Sequence, residues 1–333
     1  PATLGIPTDL CAPFRTCARC APNAVRAIAI MLRPINPYRG GINVFERLRV
    51  ADVGDAAVVP GYLEETLARI EASVATLVKA GVTPFGIGGD HSVTLAELRA
   101  VAATHGPVAL IQFDSHSDTW DKYFAGKRYS AGTPFRRGVE ENIIDPAHSI
   151  QVGLRGSLFS PTDVSQSIEL GYEVVTTDEM FAMGMPALAE RIAARAAGRP
   201  AFLTFDLDFV DPAAAPGVET PEAGGPNAGE TLDLLRRLTG IHLAGADVVQ
   251  PSAHFDVPGQ IPALPAATRV ADLLSRMTLE EKTAQLYGVW VGAATDGEGV
   301  APLQREMTAG SADDWDLLIT LGLGQLTRSF GTA

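Results

Sequence analysis

The stretch PVALIQFDSHSD, residues 107–118, passes from an apolar run straight into alternating acids, serines and a histidine. The run Pro107–Asp114 is long enough for a strand and carries no polar alternation. That is the mark of a strand buried on both faces, as in a parallel sheet. Working outward, six more segments read the same way: Leu48–Val53, Thr83–Ile87, Ser149–Leu154, Tyr172–Thr176, Pro200–Asp206 and Leu243–Val249. Between them lie helical patterns. In Gly61–Ala80 the residues Leu63, Leu67, Ile70, Val74, Leu77 and Val78 recur at helical spacing, and Ser92–Ala103, Pro186–Ala197 and Gly229–Leu238 follow suit. Strand–helix alternation predicts an α/β fold with a mainly parallel sheet and helices on both faces. Ligands of such sheets sit at the carboxyl ends of the strands.

Composition narrows the class. In 333 residues, 46% are hydrophobic and 20% charged, which is globular rather than disordered. The formal net charge of −13 and the lack of a Lys/Arg cluster exclude a nucleic-acid binder, and a cationic small-molecule substrate fits the sign. Three cysteines, Cys11, Cys17 and Cys20, are too few and too odd in number for a disulfide scaffold. Cys17 and Cys20 have only Cys11 nearby and no histidine in the segment, so zinc is disfavoured there. No apolar run is long enough to span a membrane, and no leader pattern is present. The chain opens on Pro1, so it reads as trimmed, with the cytoplasm as its expected compartment.

Three strand ends carry metal-ligand residue types: Gly88-Gly89-Asp90-His91-Ser92, Asp114-Ser115-His116-Ser117-Asp118 and Asp206-Leu207-Asp208. Residues i, i+2 and i+4 leaving a strand point to one side, so Asp114, His116 and Asp118 are expected to converge, with Asp206 and Asp208 facing them. Together with His91 this makes two imidazoles and four carboxylates. A single DxD or GGDHS has a bland explanation in turns and caps; three such segments at three strand ends do not. So acidic a set calls for cations, and two divalent ions about 3.5–4 Å apart with shared carboxylates would satisfy it. The oxygen-rich donors favour a hard ion such as Mn²⁺.

On these residues the sequence resembles the ureohydrolase family of arginases and agmatinases, most closely the agmatinase-like branch. The likeness runs over about residues 4–275 and rests on GGDHS (88–92), FDSHSDTWDKYF (113–124), GTPFRRGVEENIIDP (132–146), SIQVGLRG (149–156) and FDLDFVDPAAAPG (205–217), with looser matches at GADVV (245–249) and FRTCARCAPNAVR (14–26). The resemblance implies a three-layer α/β/α arginase-like fold. It also implies a homo-oligomer, trimeric or hexameric, and two Mn²⁺ per subunit, with hydrolysis of an agmatine-like guanidino-alkyl substrate to an amine plus urea through a metal-bridging hydroxide. It further implies that His91 and Asp118 hold one metal, His116 and Asp208 the other, and Asp114 and Asp206 bridge them. Asp118 is then placed to orient the nucleophile and pass its proton to the departing amine.

The sequence departs from that pattern at informative places. Ala131 stands where a histidine is usual, Gln250 where a glutamate pairs with the substrate, and Glu219 where a glycine is usual. A lost general acid costs about 10²–10⁴ in rate, and a lost charge-assisted hydrogen bond about 1.5–3 kcal/mol. Glu219 and His254 are the two candidates to compensate, beside Gln250, on the substrate side. A catalytically impaired metal-binding homologue therefore stays open as the alternative, as does a fragment of a glycosidase fusion. The latter rests on residues 267–333 alone, where ATRVADLLSRMTLEEKTAQLYG (267–288) and GLGQLTRSF (322–330) resemble the opening of glycoside hydrolase family 3. The expected organisation is a metal-binding domain over 1–275 and a short irregular or helical extension over 276–333.

Overall fold

The computed structural model describes residues 1–29, 31–33, 35, 43 and 49–256, and two short strands at 288–290 and 325–327. Eight strands form one parallel sheet: β1 (Ala2–Gly5), β2 (Ala51–Asp55), β3 (Pro84–Ile87), β4 (Ala109–Phe113), β5 (Ile150–Leu154), β6 (Glu173–Thr176), β7 (Ala201–Asp206) and β8 (Leu243–Val249). Their order is β2-β1-β3-β8-β7-β4-β5-β6, with every pairing parallel. The helices are α1 (Ala21–Ala29), α2 (Leu63–Lys79), α3 (Val93–His105), α4 (Pro134–Glu140), α5 (Asp163–Glu169), α6 (Thr177–Met183), α7 (Met185–Arg195) and α8 (Ala228–Arg237). The fold class expected from strand–helix alternation is the one found. One strand escaped the sequence reading: Ala2–Gly5 is only four residues, ATLG, and lacks a β-branched run, yet it pairs on both sides.

Alternating side chains feed two cores. On one face Phe85, Ile87, Ile111, Phe113, Leu203, Phe205 and Val248 pack with Leu188 and Ile192 of α7 and Leu234 and Leu235 of α8. On the other, Leu110 and Phe202 pack with Leu67, Ile70 and Val74 of α2, Val93, Leu98 and Val101 of α3, and Phe135 of α4. A register shift between Ala201 and Phe202 against β8 turns Asp247, rather than Ala246 or Val248, toward this second face. Here α3 lies on the sheet with Thr94 and Glu97 fully buried. The two strands at 288–290 and 325–327, β9 and β10, pair parallel with each other. The remainder of the expected extension, and the stretch from Ala267 that carries the second resemblance apart from Gly288, fall outside the described residues.

One tight approach fixes the rim of the sheet. Gly153 in β5 has φ +103°, and a Cβ there would lie 2.9 Å from the Asp114 carbonyl and collide with the Phe209 ring. Both segments carry or flank the acidic motifs. Gly153→Ala is expected to cost at least ~1–3 kcal/mol by overpacking alone, read as a lower urea midpoint at unchanged m-value.

Candidate metal centre

The site lies past the carboxyl ends of β3, β8, β7 and β4, four neighbouring strands of the sheet. After β3, Gly88 and Gly89 take positive φ of 85° and 92° and bring the chain to Asp90 and His91. Asp90 accepts from the backbone amides of Cys11 (2.9 Å) and Ser92 (3.0 Å), which pins this turn to the N-terminal loop. After β4 the ladder ends where the Asp114 amide donates to the Val152 carbonyl. The chain then bends back, the His116 amide donating to Asp114 Oδ1 at 2.7 Å. Asp118 follows with φ 50°, a left-handed conformation uncommon outside glycine that aspartate takes more readily than most residues. β7 ends at Asp206, and the 3₁₀ turn Leu207–Phe209 closes with the Asp208 amide on Asp206 Oδ1 at 2.8 Å.

The acids therefore converge by a different local route from the one the spacing suggested. The strands stop at Phe113 and Asp206, so strand alternation does not carry His116, Asp118 or Asp208 inward. Side-chain-to-backbone turns at Asp114 and Asp206 do so, and the left-handed residue completes the bend.

The six side chains meet. His91 Nδ1 lies 3.0 Å from Asp114 Oδ2, 2.8 Å from Asp118 Oδ2 and 3.2 Å from Asp206 Oδ2. His116 Nδ1 lies 3.4 Å from Asp114 Oδ1 and 3.1 Å from Asp208 Oδ2. Two groups follow, His91 with Asp114 and Asp118, and His116 with Asp114 and Asp208, the ligand atoms of each within 4.8 Å of one another. Asp114 is common to both. Asp206 falls in neither group and joins through its contact with His91.

These residues fit a pair of cations. His91 Nδ1, Asp118 Oδ2 and Asp206 Oδ2 are buried, point at one another and have no hydrogen-bond partner. Neighbouring polar side chains hold Asp114, Asp208 and His91 in place. Gln112 Nε2 donates to Asp114 Oδ2 at 2.7 Å, Ser115 Oγ to Asp208 Oδ1 at 2.7 Å, Thr220 Oγ1 to Asp208 Oδ2 at 2.7 Å, and His91 Nε2 meets Thr204 Oγ1 at 2.9 Å. Such outer contacts orient ligands and tune their basicity. Phe135 closes over His91 edge-on at 5.0 Å. Sequence reading missed Gln112 and Thr204, although each stands two residues before a ligand on an apolar strand, where a polar residue is itself a signal.

Charge is severely compressed here. Burial pushes Asp118 up, to about 6, with Asp114 adding to the rise and the histidines opposing it. Burial, then Asp208 and Asp114, raise Asp206 well above the carboxylate range. Against burial, the surrounding carboxylates hold His91 and His116 well above an ordinary histidine, and the same histidines depress Asp114.

The expected substrate-side residues separate. Glu219 is fully buried with both carboxylate oxygens unpartnered, and burial followed by Asp90, Asp206, Asp9 and Asp208 pushes it well above its usual range. Gln250 is buried with φ 62°, its Oε1 2.8 Å from the hydroxyl of Thr220, which also contacts Asp208. His254 is exposed on the 3₁₀ turn Ala253–Phe255, its ring edge-on to Phe255 at 5.9 Å. Ala131 is buried, and next to it Gly132 is covered by the Trp120 ring. Trp120 stacks on Tyr123 at 4.9 Å and meets Phe159 at 5.6 Å. Beside His116 opens a cavity of about 360 Å³ lined by Ser117, Arg155, Leu158, Val164 and Asp178. The three cysteines are free.

The geometry has close counterparts. The family model described as "Arginase family" matches residues 2–275. The guanidinopropionase of Pseudomonas aeruginosa is 41% identical over 272 residues, covering 81% of this chain and 84% of its own. The mitochondrial agmatinase of Gallus gallus is 37% identical, covering 80% and 77%. Among solved structures, the proclavaminate amidino hydrolase of Streptomyces clavuligerus superposes with a TM-score of 0.79 at 36% identity, covering 83% of this chain and 90% of that one. A match over most of the chain in sequence and in fold, with the acidic strand ends inside it, means that this chain belongs to the arginase family.

Proposed function

We propose that this arginase-family hydrolase is a two-metal amidinohydrolase that cleaves a guanidino-alkyl substrate to an amine plus urea. The observation that carries the reading is the convergence of His91, Asp114, His116, Asp118, Asp206 and Asp208, with buried ligand atoms left without partners. Hydrolases of guanidino compounds among the relatives support the substrate class. The hard, oxygen-rich donor set favours Mn²⁺, two per subunit. When bound, the ions neutralise the carboxylates and activate a water as nucleophile at neutral pH.

The chain's own groups perform the remaining steps. A guanidinium carbon is a weak electrophile, since resonance spreads its charge, and a carboxylate pair on its nitrogens keeps that charge localised in position. Glu219 takes this role: it is buried and unpartnered beside the metal-side acids that push it up, and an arriving guanidinium draws it back toward the charged form. Gln250 keeps a neutral hydrogen bond to the substrate and is tied to the metal side through Thr220. Asp118, held in its strained turn, orients the attacking water and hands a proton to the departing amine. His254, exposed beyond Gln250, serves proton exchange with solvent. Urea from agmatine, guanidinopropionate and guanidinobutyrate, measured with Mn²⁺ added, tests the reaction. No urea above background with two ions bound overturns it.

A second reading, a metal-binding homologue with little turnover, is favoured by the buried Ala131 at the usual histidine position. Joint Ala131→His and Gln250→Glu replacement separates the two: a gain of about 10² or more marks the present chain as impaired, and no gain marks it as an enzyme with its own constellation.

Three outcomes are expected. Asp118→Asn lowers kcat by about 10²–10⁴ in the metal-loaded enzyme. Glu219→Gln lowers kcat/KM by roughly 10–150-fold, the equivalent of about 1.5–3 kcal/mol, with metal content unchanged. Metal affinity rises with pH. His91 and His116 hold protons above the usual histidine range in the metal-free protein, and those protons must leave before the imidazoles can ligate. Titration calorimetry in buffers of different ionisation enthalpy reads the released protons; a binding constant flat between about pH 6 and about pH 9 contradicts it.

A further inference from the structure

A buried acid pair lies behind the metal centre and has no part in the chemistry above. Gly86 of β3, Asp247 of β8, Thr204 of β7, Gln112 of β4 and Gln151 of β5 stand side by side in register across five adjacent strands. They form a tier two residues before the ligands Asp206 and Asp114, on the face covered by α3. Asp247 Oδ2 accepts from Thr94 Oγ1 at 2.6 Å. Glu97, fully buried on α3, comes down on the same tier, and the missing side chain at Gly86 makes room: a Cβ there would collide with the Glu97 carboxyl. Glu97 and Asp247 contact each other, yet both Glu97 oxygens and Asp247 Oδ1 lack a donor. Two carboxyls facing each other in a dry interior need one proton between them.

Hydrogen-bond polarity then runs one way. His91 Nδ1 is the unpartnered atom that faces Asp114, Asp118 and Asp206, so a cation there requires Nδ1 bare and the ring proton on Nε2. Nε2–H donates to Thr204 Oγ1, 2.9 Å away, which leaves the Thr204 hydroxyl proton free to turn to Asp247, its register neighbour across the strand pair, whose Oδ1 has no other donor. We propose that the Glu97–Asp247 pair, sharing one proton, acts through Thr204 as the positioning group that fixes the His91 tautomer and strengthens metal binding on the His91 side. This rests on the two-metal reading and adds a residue, Glu97, that the reading does not use.

Mn²⁺ titration of the full-length protein, stripped of metal by chelation, tests it. In the wild-type protein two binding events are expected. Thr204→Val and Asp247→Asn weaken one of them by about 10–100-fold and leave the other within about threefold, since Asp114, His116 and Asp208 are untouched. Thr204→Ser, which keeps the hydroxyl, and Glu97→Gln, which keeps a donor to Asp247, stay within about threefold at both sites. Thermal midpoints of the metal-free variants separate lost folding from lost affinity. Equal weakening of both events, Val and Ser at 204 behaving alike, unchanged affinity in Asp247→Asn, or no Mn²⁺ binding by the wild-type protein would each overturn the proposal. Two intact binding events without urea release would instead overturn only the hydrolytic reading.

Discussion

Negative charge packed at the ends of neighbouring strands governs this molecule. Two carboxylates about 4 Å apart repel by about 4 kcal/mol at the effective dielectric of a protein site, and four aspartates share this one. His91 and His116 acquire positive charge among them, and it is the acids that force those imidazoles to hold it. A protein that retains such an arrangement in its interior has a use for cations there. The protons on the histidines are stand-ins for the metal, and the same electrostatics that raises the affinity for protons raises it for divalent ions.

The sheet beneath is built around that load. Two residues below the acids, apolar side chains give way to Asp247, which holds Thr94 of α3, and to Thr204, Gln112 and Gln151, each bonded to a ligand or to something that holds its loop. Gln112 fixes Asp114, Gln151 reaches Gln112 and the Ser117 carbonyl, and Thr204 fixes His91. A purely hydrophobic tier would pack as well and leave the ligands free to turn. Polar groups in the core cost desolvation, and Gln112, Gln151 and Thr204 offset part of it with partners on the ligands or on the loop that carries them.

The substitutions at Gln250, Glu219 and Ala131 make sense as a set only when placed in space. Gln250 retains the position and the link through Thr220, but without charge. Glu219, one residue before Thr220, brings a carboxylate back into the same neighbourhood, buried and without a partner of its own. Ala131 has no such replacement: its neighbour Gly132 lies under Trp120, in an aromatic cluster with Tyr123 and Phe159. On the proposed reading, the substrate side is rebuilt while the ligand set is kept.

The sequence by itself determined the alternation of strand and helix, because burial on both faces leaves apolar runs and one-sided burial leaves a helical stripe. It also determined which residues could ligate, because acids and histidines clustered at strand ends have few other uses. Tertiary structure decided the rest. The order β3-β8-β7-β4 brings together segments as far apart in the chain as Phe85 and Ala246, which pair across β3 and β8, and no local pattern encodes which strands become neighbours. The Ala2–Gly5 strand exists only because β2 and β3 flank it. Convergence of His116, Asp118 and Asp208 comes from turns closed by their own side chains, not from the strand periodicity that the spacing suggests. Glu97 reads in sequence as one more helix acid; only the bare backbone at Gly86, two strands and a helix packed face to face, reveals that its carboxyl is sealed against Asp247. Pairwise spacing is local and survives in sequence, whereas burial is a property of everything that surrounds a group.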